Sequence, residues 1–375
     1  MHTAPKILII VAGSYISGAE KVTLDVVRYL KEKGYNVHCL VTGWNDGKYI
    51  QCLQQMNVAY TIHKLGWYYT SKIGWTIDSL VHYPKAVWIF LKLLKKFKPD
   101  LLYTNSYRPV FLLRPFLKAN IVYHAHDPHG ETRQGRIFLK LIDKKIARYI
   151  AVSSYIQKDL LQCGIAANKI ELIYNGVQRT AEPIAVSSRQ YMPAGTLRIG
   201  IAGQIIPRKG HQDLLLALES IRGSVPFECL IFGGSNNAFT NQLKQLIKQH
   251  GLCEQVIWNG FVNDKNDIYP LIDILVAPTR NDEPFGLVAA EAGAFSVCSV
   301  VTDSGGLPEI VVDGQTGFVV PKQSPAAIAE KLTLVYNNPY LLKELGENAA
   351  QRVKEKFTLG HMEKRIGLLF DQFFN

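Results

Sequence analysis

The chain has 375 residues, 47% hydrophobic and 19% charged. That balance excludes bulk disorder and collagen-like repeats, and the length points to two domains. The net charge is +11, and the excess is all in the first half: residues 1–180 hold 25 Lys+Arg against 11 Asp+Glu, residues 181–375 hold 17 against 20. An anionic partner is expected for the first half. Six cysteines at 39, 52, 163, 229, 253 and 298 make no C-x-x-C pair, which sets aside zinc ribbons and thioredoxin chemistry and fits a reducing compartment.

The apolar run near the N-terminus is short and enters a Gly turn, so it predicts a first strand (6–12) rather than a signal peptide. No stretch reaches the roughly 18 apolar residues of a membrane span. A cytosolic protein is expected. A helix follows at 19–33, with Ser17 and Glu20 spaced as a capping box. Further along come a strand (36–42), a long helix (79–97), strands at 100–105 and 121–126 flanking a helix near 108–118, helices at 134–148 and 154–163, and a strand at 169–174.

Residues 178–196 lack periodicity and are rich in Pro, Ser and Ala, which reads as a linker. The alternation then restarts: strand 197–203, helix 210–222, strand 227–234, helix 239–250, strands 255–260 and 273–278, helix 286–295 and strand 298–303. The tail, 324–374, is helical in three pieces. Repeated β-α units imply parallel sheets covered on both faces. The predicted class is α/β, with two doubly wound Rossmann-like domains facing across a cleft. Residues 1–180 form the first, 181–196 the linker and 197–355 the second. A helix at 356–375 crosses back to the first. Ligands in such sheets bind beyond the carboxyl ends of the strands.

The first turn reads GSYISG (13–18), not G-x-G-x-x-G, and strand 36–42 ends in Thr-Gly without an acidic residue. The dinucleotide fingerprint is absent, as are a P-loop and any D-x-D for a divalent metal. The richest segment is EPFGLVAAE (283–291). Glu283 precedes a helix start and Glu291 lies eight residues on. The N–H groups of Gly286, Leu287 and Val288 would face an anion. A nucleotide sugar fits, with Glu283 on sugar hydroxyls and Glu291 on ribose hydroxyls.

E-x7-E with an internal F-G-L resembles the signature of retaining glycosyltransferases of the GT-B fold, family 4, also called glycosyl transferases group 1. GQIIPRKG (203–210) resembles that family's G-R-L-x-x-x-K-G loop. DSGGLPEIV (303–311) with GQTGF (314–318), SGAE (17–20) and HAHD (124–127) match in order. The resemblance implies hexosyl transfer with retention from a nucleoside-diphosphate sugar, without metal or other cofactor. It implies Lys209 on the diphosphate, Glu283 on the transferred sugar, Glu291 on the ribose and the backbone of Phe285–Val288 on sugar and phosphate oxygens. His126 is placed by it near the reacting face, and Gly18 beside the diphosphate. Gln204 stands where the family has Arg, and Arg208 is expected to supply that charge. The family's small-x-G-x-P stretch becomes AFSVC (294–298). A UDP-sugar is the expected donor because UDP sugars are the commoner donors among similar proteins.

Three other features bear on function. His124, His126 and His129 depart from the H-x-H-x-D-H order of binuclear hydrolases, and no metal is expected. Glu20 reads as a cap. The helix around 84–98 carries Lys85, Lys92, Lys95 and Lys96 on one face with Trp88 beside them, and Trp67 and Trp75 lie just upstream. These suit acceptor binding or an anionic membrane surface. The expected partners are a nucleotide-sugar donor, a saccharide or lipid-linked acceptor and the inner face of the cytoplasmic membrane, with no nucleic acid. The surface-polysaccharide or lipopolysaccharide route fits. A nucleotide-sugar epimerase and a non-catalytic membrane or nucleic-acid binder are the alternatives.

Overall fold

Among the described residues, thirteen strands, all parallel to their neighbours, build two separate sheets. A computed structural model describes residues 4–65, 73–118, 120–178, 191–192, 195–234 and 238–374. The chain divides into two units: residues 1–174 with 362–375, and residues 175–361. Most of the predicted linker and Trp67 lie outside the described residues.

In the first unit the strands are β1 (Lys6–Val11), β2 (Asn36–Thr42), β3 (Ala59–His63), β4 (Leu101–Thr104), β5 (Ile121–Ala125), β6 (Ile146–Ala151) and β7 (Ile170–Leu172), in the order 3-2-1-4-5-6-7. Helices are α1 (Gly18–Glu32), α2 (Lys48–Gln55), α3 (Ile73–Phe97), α4 (Tyr107–Leu113), α5 (Arg133–Asp143) and α6 (Ser154–Gln162). Strand β1 reads as an unbroken apolar run because Ile7 to Val11 are fully buried between helical layers. The direction of strand order reverses between β1 and β4, so the loops leaving these two strands diverge and open a crevice.

The second unit orders its strands 10-9-8-11-12-13. They are β8 (Leu197–Ala202), β9 (Phe227–Phe232), β10 (Val256–Gly260), β11 (Ile274–Ala277), β12 (Cys298–Thr302) and β13 (Gly317–Val320). The reversal falls between β8 and β11. Its helices are α7 (His211–Ile221), α8 (Ala238–Gln249), α9 (Leu287–Ala294), α10 (Leu307–Ile310), α11 (Pro325–Asn337) and α12 (Pro339–Lys356). The last helix, α13 (Leu359–Asp371), begins in the second unit and ends in the first, where Phe370 meets Tyr103 at 6.2 Å between ring centroids.

The elements differ from the sequence expectation in three ways. The helix predicted at 134–148 ends at Asp143, and Ile146–Ala151 is strand β6. Ile142 and Ile146 keep helical spacing, but the run IARYIA is β-branched and aromatic and is buried in the sheet. Helix α3 starts at Ile73, not near 79, and carries Pro84 in its interior. The elements α2, β3 and β13 had no expectation at all.

Candidate functional site

The turn Pro207–Lys209 follows β8 and the segment 278–286 follows β11. The switch point of the second sheet thus brings the predicted cation loop and the first carboxylate together. Lys209 Nζ donates to Glu283 Oε2 at 2.7 Å, and Arg208 Nη1 lies 3.7 Å from the same oxygen. Lys209 and Glu283 are largely withdrawn from solvent, while Arg208 is exposed. Three links hold the loops in contact. The Arg280 N–H donates to the Arg208 carbonyl at 2.8 Å, and the Arg280 guanidinium clamps Asp213 at 2.8 and 2.6 Å. Gly210, at φ 72°, would place a Cβ 1.8 Å from the Pro278 carbonyl oxygen. Only glycine permits that approach.

Glu283 is fixed from below by the loop after β12. Its N–H donates to Ser304 Oγ at 3.2 Å, and its carbonyl accepts from the Gly306 N–H at 2.8 Å. Ser304 donates in turn to the Asn281 carbonyl, and Asp282 accepts from the Gly305 N–H and pairs with Lys322. A Cβ on Gly305 would sit 2.3 Å from the Glu283 carbonyl oxygen.

Gly286, at φ 105°, caps α9, so the helix proper starts at Leu287. The first intrahelical bonds run from Ala289 and Ala290 back to the Gly286 carbonyl. First-turn N–H groups have no intrahelical acceptor and carry the positive end of the helix dipole. Phe285 is buried against Phe357. Glu291, one helical face further on, is buried; Lys265 pairs with its Oε1 and Tyr269 donates to its Oε2 at 3.0 Å. Burial and then Glu291 push the Tyr269 hydroxyl well above its usual range. Gln204 follows the end of β8 and is half-buried. At the AFSVC departure, Ser296 occupies the family's Gly position with φ 58°, and Phe295 packs on Tyr269 at 5.3 Å.

In the first unit the expected capping box forms: Glu20 accepts from the Ser17 N–H at 3.3 Å and from its hydroxyl. Asn105, from the loop after β4, donates to Glu20 and to Thr23 at 3.4 and 3.2 Å. Burial, then nearby Asp127, raise the Glu20 carboxyl above its usual range, and the Ser17 contacts oppose them. Gly18, expected in the loop, is the first helical residue. Gly13, at the preceding turn, closely approaches the Glu20 side chain, which a Cβ there would strike. His126 lies just past the end of β5, with its ring 4.2 Å from that of His124. Burial lowers its pKa to about 3, so the ring is neutral. His124 accepts or donates at 2.5 Å to the Tyr103 hydroxyl, and His129 does so to Tyr123 at 2.7 Å.

Helix α3 presents the predicted surface residues and more. Trp88 is 61% exposed with Lys92 Nζ 5.0 Å from its ring centroid, and Trp75, Lys95 and Lys96 are exposed. Ala86, Phe90 and Leu93 are buried opposite. The added N-terminal turns extend the outer face with Ile73, Ile77, Leu80 and Val81, all exposed.

Two family models match, the glycosyl transferases group 1 over residues 190–352 and glycosyltransferase family 4 over residues 16–180. The chain belongs to these glycosyl transferases. Their curated relatives include a lipopolysaccharide core biosynthesis mannosyltransferase of Rhizobium leguminosarum. It is 29% identical over 177 residues, which are 46% of this chain and 50% of that protein, so the chain spans half that relative's length. A capsular polysaccharide biosynthesis glycosyltransferase of Staphylococcus aureus is 26% identical over 270 residues, 67% of this chain and 70% of that one. The solved structure of Anabaena HepE in complex with UDP and glucose aligns at a TM-score of 0.80 and 20% identity, covering 97% of this chain and 99% of that one. That likeness shows the fold, which is GT-B.

Several residues that shape the site escaped the sequence reading. Lys265 and Tyr269 lie 26 and 22 residues before Glu291, and no spacing rule links them. Arg280 and Asp213 form their clamp across 67 residues. The signal for Ser304, Gly305 and Gly306 was present in the DSGG run, where two adjacent glycines mark a close backbone approach.

Proposed function

We propose that the chain transfers a hexosyl unit, with retention of anomeric configuration, from a nucleoside-diphosphate sugar to a saccharide or lipid-linked acceptor of surface polysaccharide or lipopolysaccharide synthesis. UDP-sugar is the favoured donor. The observation that carries this reading is the meeting of Lys209, Arg208 and Glu283 at one switch point, ahead of the start of α9. A departing diphosphate takes the electron pair of the C1–O bond. The two cations and the helix N-terminus are suited to stabilise that charge, and Glu283 to favour the oxocarbenium-like sugar. The acceptor hydroxyl attacks the same face and passes its proton to the leaving diphosphate, so no second carboxylate nucleophile is needed. Glu291 takes the ribose, and Gln204 and the backbone of Phe285–Val288 border the donor. No metal is required.

Proton NMR of the product formed from an α-linked donor tests this reading. An α-linked product formed in the presence of a chelator supports it. A β-linked product, or a requirement for divalent metal, contradicts it. Epimerised donor without acceptor would point to the epimerase alternative.

The acceptor reading draws on α3. Its exposed apolar stripe runs from Ile73 through Val81 and Trp88 to Leu91, flanked by Lys85, Lys92 and Lys96. A patch of this kind marks an interaction surface, and its sole acidic residue, Asp78, is engaged by Trp44 and His82. Its chemistry suits the headgroup region of an anionic bilayer. No helix among the described residues is long and apolar enough to cross a membrane. Flotation with anionic vesicles at low salt should carry the wild type and lose Val81→Ser/Trp88→Ala. A wild type left at the bottom of the gradient removes the membrane reading.

A further inference from the structure

The carboxylate of Glu291 is held from two sides by one short segment. Lys265 pairs with Oε1 and Tyr269 donates to Oε2 at 3.0 Å. Both stand between β10 and β11, on the consecutive turns Lys265–Asp267 and Tyr269–Leu271. Asp264 fixes the first turn by accepting from the Asn266 N–H at 2.9 Å. The Tyr269 hydroxyl also lies 3.2 Å from the Val288 carbonyl, which ties the carboxylate to the first turn of α9.

The side chains of Lys265 and Glu291 are only 16% and 11% exposed. A carboxylate so withdrawn is strongly disfavoured unless a countercharge is in contact with it. Tyr269 is neutral and cannot provide that charge. Lys265 does. Because Lys265 and Tyr269 grip different oxygens, the plane of the carboxylate is set, and with it the directions from which it can accept hydrogen bonds.

We propose that Lys265 is a positioning residue for the ribose of the donor. It keeps Glu291 charged and oriented so that the carboxylate can accept hydrogen bonds from the ribose hydroxyls. This rests on the reading that Glu291 takes the ribose. The lysine acts through Glu291, so it should govern how tightly the nucleotide is held and how strongly the ribose hydroxyl is discriminated. It should leave the chemical step at Glu283 and Lys209 alone.

The test is calorimetric titration of UDP and 2′-deoxy-UDP into wild type, Lys265→Met, Lys265→Gln and Lys265→Arg, with steady-state kinetics alongside. The wild type should prefer UDP by about tenfold or more, as expected for a hydrogen bond to a charged group. In the Met and Gln variants the preference should fall below about threefold. The donor KM should rise about tenfold with kcat within about twofold, the signature of lost uniform binding. Lys265→Arg should keep the preference. If the Met and Gln variants discriminate as the wild type does, Lys265 has no part in reading the ribose. If the wild type itself binds both ligands equally, or neither, the ribose reading of Glu291 fails and the proposal falls with it.

Discussion

Lys209 Nζ and Glu283 Oε2 are 2.7 Å apart, across 74 residues of sequence. The sheet topology makes this contact: β8 and β11 are neighbours, with Ile199 beside Ile274, and the loops that leave them carry the two residues. Under the proposed reading, a diphosphate arriving at Lys209 competes with Glu283, and that competition frees the carboxylate for the sugar. Lys209→Ala and Glu283→Ala should each lower kcat/KM about a hundredfold, the scale of one lost electrostatic contact of about 3 kcal/mol. The double variant should lose less than the product of the two, because the residues share a contact. A strictly multiplicative loss in a double-mutant cycle would show that they act independently.

The platform beneath Glu283 depends on Gly305. At φ 56° with the Glu283 carbonyl in the way, Gly305→Ala should destabilise the fold by about 2 kcal/mol or more and lower turnover. Gly260, at φ 70° with nothing within 4 Å of a built Cβ, is the control. Gly260→Ala should cost only about 1 kcal/mol, the price of left-handed backbone alone. Urea unfolding of both variants distinguishes steric clash from backbone strain.

Ser296 adopts φ 58° and its carbonyl accepts from the Tyr191 hydroxyl at 3.2 Å. The backbone of a glycine remains in place although the side chain is not glycine's. Ser296→Gly should therefore raise stability by about 0.5–1 kcal/mol, visible as a higher melting temperature, with donor affinity unchanged. A drop in stability would mean that the serine side chain contributes more than its backbone costs.

Burial lowers the pKa of His63 to about 4 and that of His126 to about 3, from 6.5. The unfolded chain binds these protons first as pH falls. Both residues thus contribute full stability above pH 6.5 and progressively lose it down to the folded pKa values. The urea midpoint should fall between pH 7 and pH 4.5, and His63→Phe should flatten part of that slope. An unchanged slope in His63→Phe would show that His63 does not remain neutral and buried.

Much of this was legible in the sequence because local rules agreed with the fold. The capping box at Ser17 and Glu20, the apolar strands and the glycine at 286 all followed from spacing. Strand β6 did not, because Ile146 continues the spacing of the preceding helix and only tertiary burial decides between the two. The same limit hid the partners of Glu291. Burial of a carboxylate demands a countercharge, but sequence spacing cannot say that Lys265 provides it. His126 was picked out by the HAHD match, whereas its neutrality follows from burial alone.

The most direct measurement is thermal unfolding of wild type and Glu291→Ala with UDP-, GDP- and ADP-sugars in the absence of metal. A ligand at a hundred times its dissociation constant adds about 2.7 kcal/mol to the folded state. The account predicts a raised melting temperature with one nucleotide class, UDP first, and its loss in Glu291→Ala. No shift with any of the three sugars, or an equal shift in the variant, would contradict it.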